Sequence, residues 1–206
     1  MRTDRSPTPA SDVAVPPVEL NEANRVRLAA ASASCDGDAA WRRRKQFEAA
    51  DLLRLTEVAP KERIRIGWMD LREALRVLIC LGVPVPCRPR PDGELAVIHG
   101  AVLGLTYPPE AVRSSLPGSA FLQILEPHGV WHANVGGPGQ SLCLGARLPA
   151  GIRTRELVIM AYGALSMQSV QIDEYSPAGV MNHEAATWWQ HNRARIPLTR
   201  TPILGT

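Results

Sequence analysis

The spacing of apolar and polar positions divides the chain into stretches of different period. Residues 39–58, AAWRRRKQFEAADLLRLTEV, place Phe47, Ala50 and Leu53 at helical spacing, and Pro60 stops the run. A helix is predicted there. Residues 18–34 predict a weaker one, set apart by the breaker DGDAA. From residue 63 the period falls to two, and RIRIGW alternates as a strand does. LRVLICLGVPVP and LAVIHGAVLGLTY are apolar and partly β-branched. RPRPDG between them carries an Asp-Gly suited to a tight reversal. AFLQIL reads as a fourth short strand. LREALR, residues 71–76, fits helix or strand.

After Leu144 the helical period returns. Thr154 stands where it can cap a helix over 154–170, with Leu157, Ala161, Ala164 and Leu165 on one face. IDEYSPAG reads as a loop. MNHEAATWWQHNR, residues 181–193, predicts a last helix with Trp188 and Trp189 as its apolar load. Strands joined by short turns and followed by helices predict an α+β fold with an antiparallel sheet. Residues 1–17 are rich in Pro, Ser, Thr and Asp and are expected to be disordered. Residues 18–192 then form one domain, and 193–206 an extended tail.

Composition narrows the function classes. A net charge of +3 and an aromatic content of 5% give little to hold phosphates or stack bases, so no nucleic-acid partner is expected. No apolar run reaches transmembrane length, and the N-terminus carries no signal-peptide segment. A cytoplasmic protein with no membrane partner is expected. Lys45 and Lys61 are the only lysines among many arginines. Genomic base composition explains this, as does an enzyme that holds an activated acyl group and gains by having few amines of its own. The cysteines are Cys35, Cys80, Cys87 and Cys143, with no zinc-knuckle spacing. Cys80 and Cys87 lie in an apolar stretch and read as buried free thiols. His183 and His191 on the last helix lack a matching acidic set, so no metal or cofactor is expected.

Two features carry candidate chemistry. GVWHANVGGPGQSLCLG, residues 129–145, sets Cys143 in leucines just past a glycine-rich loop. From the residues alone it is a packing cysteine or a nucleophile. The run Arg42, Arg43, Arg44 and Lys45 is a solvated helix face or a docking patch.

The order of several short motifs is more telling. Tyr107-Pro108-Pro109, then His132-Ala133-Asn134, then Leu142-Cys143-Leu144, then Asn182 with Ala185-Ala186 resemble the ubiquitin-conjugating enzymes. Motifs cover about residues 100–190, and residues 40–100 match in the order of elements. The resemblance implies that family's fold: an N-terminal helix, a four-stranded antiparallel meander and C-terminal helices. There are departures. Ala133 stands in place of proline, which leaves the turn less rigidly set. His132 and Cys143 are eleven residues apart, one more than is common. Leu148 and Pro149 stand where a tryptophan is usual. The chain is similar to divergent bacterial relatives encoded beside ubiquitin-like proteins and activating enzymes in defence operons.

The resemblance implies roles. Cys143 would accept a ubiquitin-like protein from an activating enzyme as a thioester and pass it to an amine of a target protein. Asn134 would donate to the oxyanion or brace its loop. His132 would hold the loop by hydrogen bonds. Asp173, or Glu174 beside it, would help deprotonate the incoming amine, unless Tyr175 or Ser176 fills that position. Arg42, Arg43, Arg44 and Lys45 would meet the activating enzyme. An inactive variant of the same fold, acting as an adaptor for a ubiquitin-like protein, is the alternative. A cysteine hydrolase is a third reading.

Overall fold

A computed structural model of the protein describes residues 19–88, 93–170, 172–173 and 180–204. The expected tail 1–17, most of the turn RPRPDG, and Glu174, Tyr175 and Ser176 lie outside the described residues.

Alternation builds the sheet. Strands β1 (Ile64–Asp70), β2 (Leu75–Cys87), β3 (Ala96–Tyr107) and β4 (Leu122–Glu126) pair antiparallel in sequence order. Along β2, Leu75, Val77, Ile79 and Leu81 are buried, while Arg76, Leu78 and Cys80 turn to the outer face. Two short strands, β5 (Val135–Gly136) and β6 (Ser141–Leu142), extend the sheet past β4, in the order β1-β2-β3-β4-β6-β5. The architecture is α+β with a six-stranded antiparallel sheet. Cys80 corrects its sequence reading, since it is partly exposed on the outer face. Cys87 is buried, and burial pushes its thiol up to about 11.

Residues 71–76 contain no helix. The Asp70 carboxylate accepts the Arg72 amide at 3.0 Å, the side-chain bond of an Asx turn. Lys45 Nζ donates to the carbonyls of Leu71 and Arg72, which a helix would have needed for its own ladder.

Helices cover the inner face. They are α1 (Glu22–Ser32), α2 (Ala39–Val58), the single turn α3 (Glu110–Arg113), α4 (Thr154–Leu165) and α5 (His183–His191). Helix α2 packs on α4 and β1, and α4 packs on β2. The buried face of α2 carries Ala49, Leu52, Leu53 and Leu55, and also Lys45 and Glu48. Phe47 is on the other side, with the Arg153 guanidinium 4.3 Å over its ring.

Helix α4 is shorter than its periodicity implied, and Thr154 is not its cap. Arg153 holds the cap position. The Thr154 amide and hydroxyl both donate to Glu48 Oε2 at 2.7 Å, so a buried carboxylate from α2 serves the first turn of α4. At the other end Met167 takes a left-handed conformation, φ +61°. The amides of Gln168 and Ser169 turn back to the Gly163 carbonyl, which ends the helix. Helix α5 begins at Asn182, whose side chain accepts the Ala185 amide at 2.9 Å.

The segment expected to be a tail packs on the domain. After a 3-10 turn at Arg193–Arg195, the Thr199 amide donates to the Ser166 carbonyl and the Tyr162 hydroxyl donates to the Thr201 carbonyl. Ile203 is buried in the main core.

Candidate functional site

Cys143 follows β6 directly, and pairing on both sides places it. Leu142 faces Leu122 of β4 and Val135 of β5. The Cys143 amide then donates to the Asn134 carbonyl at 2.8 Å, continuing the ladder by one step. Beyond Cys143 the chain leaves the sheet and runs beside residues 116–118. The Leu144 amide donates to the Gly118 carbonyl, and the Gly118 amide to the Gly145 carbonyl. A Cβ on Gly118 would stand 2.3 Å from the Gly145 oxygen and 2.6 Å from its nitrogen, so only glycine admits this approach. Gly145 itself holds φ +137°, a conformation that favours glycine.

The turn before β5 is tied from three directions. His132 is fully buried. Its Nδ1 lies 3.0 Å from the Asn134 amide and accepts that proton, which fixes the tautomer. Nε2 therefore carries the other proton and donates to the Ala164 carbonyl at 2.9 Å, on the last turn of α4. The Ala133 carbonyl accepts the amides of Met181 and Asn182, at 2.8 and 3.0 Å, where α5 begins. The Asn134 carbonyl holds Cys143. Five hydrogen bonds thus do what proline would have done, and the turn is more firmly set than Ala133 suggested. They also join α4, α5 and the cysteine strand at one point.

Burial pushes His132 down to about 4, against the rise that its bond to Ala164 alone would cause. The folded state prefers the neutral ring. Its contribution is present above about pH 6.5 and is lost as pH falls from there through 4. At 1.36 kcal/mol per pKa unit this is about 3 kcal/mol in all. Urea melts at pH 7 and 4.5 are expected to show that loss in the wild type, with a flatter profile for His132→Asn. Identical pH slopes in the two proteins would remove the assignment.

Both nitrogens of His132 are engaged, so it cannot take the proton of Cys143 without breaking a bond that holds the turn. The hydrolase reading has no base there.

A sulfur that exchanges acyl groups between proteins is expected to lie open to solvent, and Cys143 departs from that: the residue is 8% exposed, and its thiol donates to the Gly145 carbonyl at 3.3 Å. It belongs to neither of the two apolar clusters of the core. It lies under the rim, between the Asn134 turn and the Gly118–Gly145 contact. Asn134 is 5% exposed.

Comparison with protein-family models, curated proteins and solved structures finds no match for this chain.

The remaining candidates separate. Asp173 is exposed, on the connection between α4 and α5. The basic run at 42–45 is not one surface. Arg42 and Arg43 are exposed. Arg44 reaches inward to the Tyr107 hydroxyl at 3.1 Å, the Gly151 carbonyl at 2.8 Å and Glu48 Oε1 at 2.9 Å. Lys45 is fully buried and satisfies the carbonyls of Asp36, Leu71 and Arg72. Lys45 presents no charge to a partner and is withdrawn from the docking patch, because its helix position faces the sheet. Among the described residues no three His, Cys, Asp or Glu side chains gather as a metal-binding set. No helix among them is long and apolar enough to cross a membrane.

The contact of Gly118 with Gly145 and the carboxylate of Glu48 were not foreseen. A charged residue on the core face of α2, three positions past Lys45, was the available signal for Glu48.

Proposed function

We propose that the protein is a conjugating enzyme for a ubiquitin-like protein, with the conjugating-enzyme fold, working in bacterial anti-phage defence. The observation that carries this reading is the bond between the Cys143 amide and the Asn134 carbonyl. It holds a free thiol beside the His-Ala-Asn turn, on a site braced by both C-terminal helices. An acyl carrier needs such a fixed relation between its sulfur and a neutral donor.

In the first step Cys143 Sγ leaves the Gly145 carbonyl and attacks the thioester carbon of a ubiquitin-like protein held on its activating enzyme. The new C–S bond forms as the old one breaks, and the thiol proton passes to the departing sulfur. In the second step an amine of the target attacks the same carbon. An amide bond forms as the C–S bond breaks, the amine gives up its proton to solvent or to a carboxylate such as that of Asp173, and Cys143 departs as a thiolate that takes up a proton in turn. The Asn134 side-chain amide serves the oxyanion of either step. It is a neutral donor and does not compete as a base.

The exposed part of the basic run gives this reading a second test. Arg42→Glu with Arg43→Glu is expected to slow charging of Cys143 several-fold and to leave the melting temperature nearly unchanged. Arg44 is excluded from that variant because its contacts are structural. Normal charging kinetics would remove the docking role.

The low exposure of Cys143 favours one other reading, an adaptor of the same fold that binds the ubiquitin-like protein without carrying it. The deciding experiment mixes the protein with the matched activating enzyme, ATP and ubiquitin-like protein. A reductant-sensitive adduct supports the enzyme. A stable complex without adduct supports the adaptor.

A further inference from the structure

Gln140 stands just before β6, three residues ahead of Cys143. Its φ is +48°, a left-handed conformation that residues other than glycine rarely adopt. Such a conformation persists where its surroundings hold it, and it gathers at functional sites.

The surroundings of Gln140 account for it. Strands β4 and β6 pair through Leu122 with Leu142 and Gln123 with Ser141. One step on, the Ile124 amide donates to the Gln140 carbonyl at 3.0 Å. A regular antiparallel ladder would return a bond from the Gln140 amide to the Ile124 carbonyl. The left-handed turn sends that amide to the Gly137 carbonyl instead, at 3.1 Å. The side chain takes its place. Nε2 donates to the Ile124 carbonyl at 3.1 Å and to the Pro127 carbonyl at 2.9 Å, and Oε1 accepts the Val130 amide at 2.9 Å. Two donors face carbonyls and the acceptor faces an amide, so the orientation of the side-chain amide is fixed by its partners.

The consequence is positional. Val130 lies four residues before Asn134, as Gln140 lies three before Cys143. The chain between them is closed twice, by Gln140 on Val130 at the base and by the Cys143 amide on the Asn134 carbonyl at the tip. Between the closures, β5 and β6 share only the pairs Val135 with Leu142 and Gly136 with Ser141. So short a pairing beside a glycine-rich turn specifies its register weakly. A slip of one residue would carry Cys143 past Asn134.

We propose that Gln140 is a positioning residue for acyl transfer at Cys143, clasping the arm that carries the sulfur to the arm that carries Asn134. The catalytic role rests on Cys143 being an acyl carrier, whereas the clasp does not.

Gln140→Gly is the test variant, because glycine accepts the left-handed backbone and removes only the clasp. Two rates are read on the full chain. Alkylation of Cys143 by iodoacetamide, located by peptide mapping, needs no partner. Discharge of the Cys143 thioester to free lysine is followed in a single turnover after charging with a candidate activating enzyme, ATP and a candidate ubiquitin-like protein. Cys143 of the variant is expected to alkylate several-fold faster, with Cys87 still unreactive. Its discharge is expected to be at least about tenfold slower, since misplacement by about 1 Å costs up to about 100-fold. Glu48→Gln weakens the start of α4 rather than this loop, and both its rates are expected at the wild-type value, which separates positioning from general destabilisation.

Either rate at the wild-type value in folded Gln140→Gly would overturn the proposal. A wild type that never charges ends the acyl-carrier reading and the catalytic role with it, while faster alkylation of the variant would still establish the clasp. If Gln140→Gly does not fold, Gln140→Asn replaces it, since Asn tolerates the left-handed backbone and is too short to span from Ile124 to Val130. The wild type supplies a third readout. Its Val130 amide is expected to exchange slowly with solvent in ¹⁵N spectra, and exchange at the rate of an exposed amide would remove the clasp whether or not either variant folds.

Discussion

Cys143→Ala is expected to reduce conjugation to background, while Cys35→Ala and Cys80→Ala retain it. Acyl transfer through an intermediate needs a nucleophile that leaves as readily as it attacks, and alanine offers none. Cys87 cannot substitute, since it is fully buried and its thiol is pushed up to about 11. Cys35 and Cys80 are partly exposed, but neither adjoins the Asn134 turn. The fold should tolerate the change. The thiol makes one bond, to the Gly145 carbonyl, and the backbone bond to Asn134 does not involve the side chain. Matching circular dichroism and melting curves establish that the lost activity is not lost structure. Undiminished conjugation by a folded Cys143→Ala protein would end the proposal for this residue.

Glu48→Ala is expected to destabilise the domain by about 3 kcal/mol, the lower part of the range for breaking a buried ion pair. Glu48 is fully buried and serves two elements at once. Its Oε2 accepts the amide and the hydroxyl of Thr154. Its Oε1 lies 2.9 Å from Arg44 and 3.6 Å from Arg153, held by charge without the alignment of a hydrogen bond. Removal strands the first amide of α4 and leaves two guanidinium groups facing each other across a cavity. Arg153 keeps Asp51 at 2.8 Å, and both arginines reach solvent in part, which holds the loss below the upper limit. Glu48→Gln preserves acceptors for Thr154 and removes the charge, so it should lose less. A shift of roughly 6–12 °C in melting temperature corresponds to the alanine effect in a chain of this size. A loss under about 1 kcal/mol in urea melts would show that the network is not a support for α4.

Strand β1 was legible from its period of two, and β2 and β3 from apolar, partly β-branched runs, because a strand with a buried face must carry such residues. Helix α2 was legible in extent and in part of its buried face. Ala50 and Leu53 are buried as their spacing predicts, but Phe47, read on the same face, is exposed, and Lys45 and Glu48 are buried instead. Polar residues are placed by partners distant in sequence, here the carbonyls of Leu71 and Arg72 and the start of α4. No local pattern encodes those. The same reason applies to the end of α4, where the left-handed Met167 stops a helix whose apolar spacing continues. In the site, the meeting of Cys143 with Asn134 follows from motif order, since both flank a short hairpin. The depth of Cys143 does not. It depends on the backbone contact of Gly118 with Gly145, between two glycines far apart in the chain, and a glycine chosen for close approach looks like any other in a sequence.

The most direct measurement concerns the sulfur itself. The purified protein is incubated with ATP, a candidate activating enzyme and a candidate ubiquitin-like protein, then digested without reductant and mapped by mass spectrometry. The expected result is the acyl group on the peptide that contains Cys143, released by a thiol reductant. A bound ubiquitin-like protein with the Cys143 peptide recovered unmodified would contradict it.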